Sequence, residues 1–361
     1  MLLNESLLLI LHVDSTESES LTESVIYKYP NVSVDPILLN LNRVLIAIPS
    51  IMVDSGLSKS CNTRLNPISL TTNNFRLSLC QFSDDHFLII LIPLSHKLHP
   101  DTLPTLCTSF INLSNTLCGD FLSAVSQLSS TRQLLDQVSL YLFNFLINFS
   151  FLNPSTYLSL RIPHSLSSKL SESCCYILNQ WKHRDSSIVV PLGCCMFFKN
   201  FVVGHSSPPC FLPYFYHISN ILKITDREVT DSGLFSDTFD VFIDPNWVKI
   251  RKLQVHPPPP ILKTNTDIDP CIEYIDFLSG SVLKNNQKSN PISEKRISCK
   301  ISFVSLNQIT ISLLFLTPQS NQDHVVDPFM IQECRHLLIQ MHQERICDSI
   351  LEGFSKRKRA N

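Results

Sequence analysis

The stretch Gly193-Cys-Cys-Met-Phe-Phe-Lys-Asn-Phe-Val-Val-Gly-His-Ser-Ser-Pro-Pro209 decides the fold. It holds an apolar strand at 194–198, a polar dipeptide at Lys199 and Asn200, and a second apolar strand at 201–204 that runs into Ser206, Ser207 and a proline pair. Short apolar runs bounded by turn residues and by prolines predict a β-hairpin, with Asn200 supplying the positive φ that a tight turn demands. The hairpin marks a second domain. A single core stops growing at roughly 250 to 300 residues, and this chain has 361.

Outward from the hairpin, 188–192 opens the same sheet and the aromatic segment 211–222 reads as a helix. A short strand at 239–243 follows, and the prolines at 257–260 suit only a surface polyproline II segment. The polar, Lys/Asn-rich stretch 281–295 reads as a flexible insertion. Two more strands, 297–304 and 308–316, and a closing helix at 328–351 complete the second domain, assigned to 188–354, with a basic tail at 355–361. Residues 153–187 form a helical connection.

The first domain is assigned to 1–152. Strands at 7–13 and 25–29 precede an apolar segment, 37–53, in which Leu38, Leu41, Leu45 and Ile48 recur at helical spacing. Residues 54–72 are polar and read as a loop. A hairpin follows at 75–82 and 86–93, turned by Ser83, Asp84 and Asp85. Leu106, Phe110, Leu113, Leu117, Phe121, Val125 and Leu128 then recur every three or four residues, which predicts one helix with a continuous buried stripe. A second helix spans 131–149 with Leu134, Val138, Leu142, Phe145 and Phe149 on one side. The order of strands and helices gives an α+β class, each domain a small antiparallel sheet packed with helices.

Composition narrows the function classes. Net charge is −2, with 44% hydrophobic and 17% charged residues. A near-neutral chain lacks the basic surface that nucleic acid requires. The seven glycines are scattered, whereas phosphate loops and dinucleotide fingerprints need clustered glycine for close backbone approach to the anion. Neither those motifs nor a GxSxG elbow occurs. The thirteen cysteines form no CxxC pair and no Cys/His run at zinc spacing, and they read as buried reduced thiols. Cys194 and Cys195 face opposite sides of one strand, so core packing outweighs a nucleophile. The histidines include no HExxH, and His336 and His342 fall on different helix faces. No cofactor, metal or catalytic residue is expected. The start lacks the basic n-region of a secretory signal. The apolar run 138–152 is shorter than the roughly 20 residues that cross a bilayer, so a buried helix is expected there.

The order of residues in the hairpin, ending in Ser206-Ser-Pro-Pro209, resembles the start of the second longin domain in the family of Hermansky-Pudlak, Ccz1 and Inturned proteins. That family has Lys-Gly at the turn, where this chain has Lys199 and Asn200, and its next strand and following hairpin look like 240–244 and 297–318. The first 150 residues are similar to the family's shared first longin domain, through 7–14, Val25-Ile-Tyr-Lys-Tyr-Pro30, the helix at Ile37 and the hairpin at Phe75 and His86. Beyond the helix at Pro328 the family continues into a third longin domain. The sequence thus reads as a divergent short form or part of a longer gene product.

The resemblance implies two longin-like domains and a non-catalytic subunit of a heterodimeric guanine-nucleotide exchange factor for a Rab GTPase. Implied with it are a second longin-domain subunit of the Hermansky-Pudlak syndrome 1 type and a role in lysosome-related organelle biogenesis and vesicle trafficking. A cytoplasmic location, peripheral to endosomal or lysosome-related organelle membranes, follows. The alternative is a Ccz1-like subunit in late-endosome and lysosome maturation. The expected partner-binding residues are Leu38, Leu41, Val44, Leu45 and Ile48, on the first-domain helix.

Overall fold

The computed structural model describes residues 6–12, 25–31, 67–73, 75–83, 85–95, 102–148, 162–182, 190–199, 201–207, 212–222, 224, 234–243, 296–316 and 328–358. The chain divides into two compact units, the first drawn chiefly from residues 1–151 and the second from 152–274 and 296–361. Each is α+β and contains one five-stranded antiparallel sheet.

In the first unit the strands are β1 (Leu7–His12), β2 (Val25–Tyr29), β3 (Ile68–Thr71), β4 (Phe75–Gln81) and β5 (His86–Pro93), in the order β2-β1-β5-β4-β3. The central pair is buried on both faces. Leu7, Leu9, Leu11, Leu77, Leu79, Phe87, Ile89 and Leu91 form one apolar face, and Leu8, Ile10, Leu88 and Ile90 on the other face are equally buried. Three helices follow, α1 (Thr102–Cys118), α2 (Phe121–Ser126) and α3 (Leu128–Asn148). α1 packs on β4 and β5, and α3 on β2.

Two expectations are corrected here. The 54–72 loop contains β3, a four-residue edge strand that pairs with β4 from Ile68↔Leu79 to Thr71↔Arg76. The continuous helix expected from Leu106 to Leu128 is broken at Gly119, whose φ of 86° ends α1 in a conformation that a Cβ disfavours. Asp120 then caps α2, its side chain accepting a hydrogen bond from the Ser123 backbone N–H at 3.1 Å. The apolar spacing survives the break, and so the stripe does not reveal it.

The second unit begins with α4 (His164–Lys182), followed by β6 (Val190–Phe198), β7 (Phe201–Ser206), α5 (Leu212–Ile221), β8 (Leu234–Ile243), β9 (Ile297–Leu306), β10 (Ile309–Leu316), α6 (Pro328–Gln343) and α7 (Ile346–Lys358). Its strand order is β7-β6-β10-β9-β8. Numbered from the start of each sheet, both units therefore have the order 2-1-5-4-3. The stretch expected as a connection supplies α4, which packs on β6 and β7. The closing helix is two helices, separated at Arg345, whose φ is 53°; α7 runs on through the first basic residues of the expected tail.

The expected hairpin is present, Phe198 pairing with Phe201 across a two-residue turn. Positive φ falls on Lys199, at 52°, while Asn200 lies outside the described residues. The Lys199 N–H donates to the Gln308 carbonyl at 2.8 Å, which ties this turn to the β9–β10 turn beside it. Hydroxyls pair across neighbouring strands, Ser305 with Thr310 and Thr238 with Ser302, each at 2.7 Å. Such pairing offsets the cost of burying them.

One face of this sheet carries Cys194, Met196, Phe198, Val203, Val304, Ile309, Ile311, Leu313 and Phe315. Helices close over it with apolar residues at helical spacing: Leu170, Cys174, Ile177 and Leu178 from α4, then Met330, Cys334, Leu338 and Met341 from α6. α5 lies on the opposite face, where a Cβ at Gly193 would come within 3.4 Å of the Phe215 ring. The sheet is thus a middle layer between helices. Among the described residues no helix is long and apolar enough to cross a membrane.

α4 rests directly on the backbone of β7. A Cβ at Gly204 would stand 2.7 Å from Leu170 Cβ and 2.8 Å from the Leu170 carbonyl carbon, and main chain cannot move aside as a flexible side chain can. Gly204→Ala is therefore expected to destabilise the protein by about 1–3 kcal/mol through overpacking. Thermal unfolding checks this, and an unchanged midpoint would mean that α4 does not sit against Gly204.

Candidate functional site

The residues expected to bind a partner, Leu38, Leu41, Val44, Leu45 and Ile48, all lie outside the described residues. The geometry available for a site is that of the two sheets and their helices.

In the first unit the clearest polar constellation joins β2 to α3. The Tyr27 hydroxyl donates to Asp136 Oδ1 at 2.7 Å and lies 3.1 Å from Ser139 Oγ. The Arg132 guanidinium stands 5.9 Å from the centre of the Tyr27 ring, within cation–π range, and Tyr29 stacks on Phe143. Positions 132, 136, 139 and 143 recur every three or four residues, so one face of α3 meets β2 with all four. Burial pushes the Tyr27 hydroxyl far above its usual pKa, and the Asp136 charge adds to that. The phenol's hydrogen bond to Asp136 ties β2 to α3. The sequence reading missed this cluster, although Arg132 and Asp136 are the sole charged residues of α3, four apart, and that spacing is a usable signal.

At one end of the same sheet His12 of β1 faces His86 of β5, with ring centroids 4.8 Å apart. His86 Nδ1 lies 2.7 Å from Ser83 Oγ. Burial lowers the His86 pKa, and the neighbouring His12 lowers it further against the opposing pull of Asp85. Asp85 sits beside the β4–β5 turn, as the sequence suggested, and Asp84 lies outside the described residues.

In the second unit Cys194 and Cys195 are both fully buried, Cys194 within the cluster under α4 and α6 and Cys195 on the opposite face. Burial holds both thiols well above their ordinary pKa, and it pushes Cys299 and Cys334, like Cys107 of the first unit, up to about 12. A nucleophilic thiol needs the reverse shift, toward thiolate. Buried His217 is pushed down to about 3, and burial also lowers His205. His336 and His342 are exposed on α6, His342 Nδ1 lying 3.4 Å from Asn307 Nδ2. Among the described residues no group of three His, Cys, Asp or Glu side chains can hold a metal ion.

Arg335 of α6 donates to Ser236 Oγ on β8 at 3.1 Å, and Lys300 pairs with Asp240 at 3.7 Å. The first contact ties α6 to the edge strand β8, and the second ties β8 to β9. What the described residues offer, then, is a set of packing and pairing surfaces in which burial raises Cys107, Cys194, Cys195, Cys299 and Cys334 and lowers His86, His205 and His217.

No protein-family model matches the chain, and no curated protein is significantly similar to it.

The buried imidazoles fix the sign of the pH dependence. Folding lowers the His217 pKa to about 3, from an unfolded value of roughly 6.5. Between those values the unfolded chain binds a proton that the folded chain refuses. Stability is therefore fully present above about pH 6.5 and falls with decreasing pH, by about 1.4 kcal/mol per pH unit for one such imidazole. His86 and His205 act in the same direction. Denaturant unfolding between pH 7 and 5 is expected to reveal this decline, and His217→Leu to make it shallower. An unaltered slope in that variant would rule out His217 as the source.

Proposed function

We propose that this chain is a subunit of a heterodimeric guanine-nucleotide exchange factor for a Rab GTPase, of the kind to which the Hermansky-Pudlak syndrome 4 protein belongs. That protein is a subunit of the biogenesis of lysosome-related organelles complex 3. The observation that carries the reading is the repeated topology: two α+β units, each with the strand order 2-1-5-4-3 and helices on the sheet. A chain of tandem longin-like domains requires two copies of one topology. The hairpin motif from Gly193 to Pro209 supplies the link from that fold to this family, because fold alone does not specify function.

Exchange of this kind needs no acid, base or nucleophile. The factor binds the nucleotide-free GTPase more tightly than the loaded form, and by linkage it lowers nucleotide affinity by the same factor. Paired domains achieve this by presenting a shaped surface to the GTPase switch regions. The partner-binding surface is assigned to the first-domain segment with Leu38, Leu41, Val44, Leu45 and Ile48, and the second subunit to the Hermansky-Pudlak syndrome 1 type. The assembly acts at the cytoplasmic surface of endosomal or lysosome-related organelle membranes.

The test is affinity purification of the tagged chain from its own cells under nucleotide-free conditions. A second longin subunit and a Rab of the lysosome-related-organelle type are expected to copurify, and the purified pair to accelerate release of a fluorescent guanine nucleotide from that Rab. Leu41→Asp with Leu45→Asp is expected to weaken subunit capture by about 30-fold or more, the effect of losing a central hot spot of roughly 2 kcal/mol. Recovery of a Mon1-type partner instead would move the chain to late-endosome maturation. Recovery of no longin partner would overturn the proposal.

A further inference from the structure

α7 is built from two unlike halves. Ile346 and Ile350, one turn apart, are buried in the core cluster of the second unit and fasten the start of the helix to it. The next two residues, Leu351 and Glu352, are exposed. The helix then runs on through Lys356 and Arg357 to Lys358, and Arg359 follows, so four consecutive cations stand at and just past its end. The whole chain carries a net charge of −2, so the remainder without these four is distinctly acidic.

The carbonyls at a helix C-terminus attract cations, but that effect fades within the last turn. One or two Lys or Arg residues meet it. A run of four also crowds like charges together, and such neighbours repel; an anionic surface outside the helix offsets the repulsion. The same helix offers an apolar contact. Leu351 is 41% exposed, and Lys358, seven residues on, returns to the same helical face. An exposed apolar residue beside a basic run is the composition of a helix that meets a lipid headgroup layer. Nucleic acid asks instead for cations spread over a broad surface, which this near-neutral chain lacks.

We propose that the basic end of α7 docks on a membrane surface rich in anionic phospholipid. Lys356, Arg357, Lys358 and Arg359 supply the electrostatic attraction, and Leu351 adds an apolar contact. Because Ile346 and Ile350 root the helix in the core, docking holds the second unit at the membrane with its packing intact. The attraction acts only within about one Debye length of the surface. It requires neither a Rab nor a second subunit, so vesicle binding by the chain alone separates this docking from the exchange-factor reading.

The experiment is cosedimentation of the full chain with vesicles of phosphatidylcholine alone and of phosphatidylcholine with about one-third phosphatidylserine. Binding is expected to the anionic vesicles only, and raising sodium chloride from about 0.1 M to about 0.5 M is expected to release the chain as screening shortens the reach of the charges. Lys356→Gln, Arg357→Gln, Lys358→Gln and Arg359→Gln together are expected to weaken binding by at least about 10-fold, with an unchanged thermal unfolding midpoint. Arg357→Lys with Arg359→Lys keeps the charge and is expected to retain binding. Equal binding to both kinds of vesicle, binding to neither, undiminished binding by the four-residue variant, or capture by nucleic acid in preference to the anionic vesicles would each overturn the proposal.

Discussion

Each sheet depends on the pairing of its first strand with its last. β1 runs antiparallel to β5 from Leu7↔Leu91 to His12↔His86, and β6 to β10 from Val190↔Leu316 to Phe198↔Ile309. Both members of each pair occupy the middle of a sheet, so they are covered on both faces and read as nearly unbroken apolar runs. Burying one such Leu, Ile or Phe side chain contributes roughly 1.5–3 kcal/mol, and β1, β5 and β10 bury one at most positions. The pairing also closes the sequence between the first and last strand into a loop, so much of each unit must fold before its centre is complete. The outer strands are secured to that centre: β2 by Tyr27 on α3, and β8 by Arg335 from α6.

This constraint explains which parts of the sequence were legible. β5 and the β6–β7 hairpin announce themselves, because central strands are apolar throughout and tight turns confine polar residues to two positions. β3 does not, because an edge strand exposes most of its four residues and Ile-Ser-Leu-Thr carries no apolar run. The break between α1 and α2 was hidden for the opposite reason. Leu117 and Phe121 are four apart, so the buried stripe continues across Gly119 although the backbone turns there. Strand order was out of reach, since nothing local in 7–13 says that its partner begins at His86. Sequence could assign two adjacent thiols to opposite faces of a strand, but it could not foresee that α4 and α6 would each bring a further cysteine into the core cluster that holds Cys194.

The candidate site is legible to a different degree. The assigned partner-binding residues, Leu38 through Ile48, lie beyond the described residues, whereas the polar contacts that matter in the described units come from residues far apart in the chain. Tyr27 meets Asp136, and Ser236 meets Arg335. Each looks ordinary in sequence. The buried thiols and imidazoles share one electrostatic circumstance: desolvation favours the neutral form, raising cysteine and lowering histidine. A protein whose proposed work is to hold another in a chosen conformation has use for rigid, neutral interiors, and the repeated topology gives it two such frameworks.

Native-state hydrogen exchange on the full chain tests the central claim most directly. If the first–last strand pairs organise the two units, amides of β1 and β5 and of β6 and β10 will be the slowest to exchange within their units, with β3 among the fastest strands. Exchange of β1 or β10 as fast as that of β3 would contradict the account.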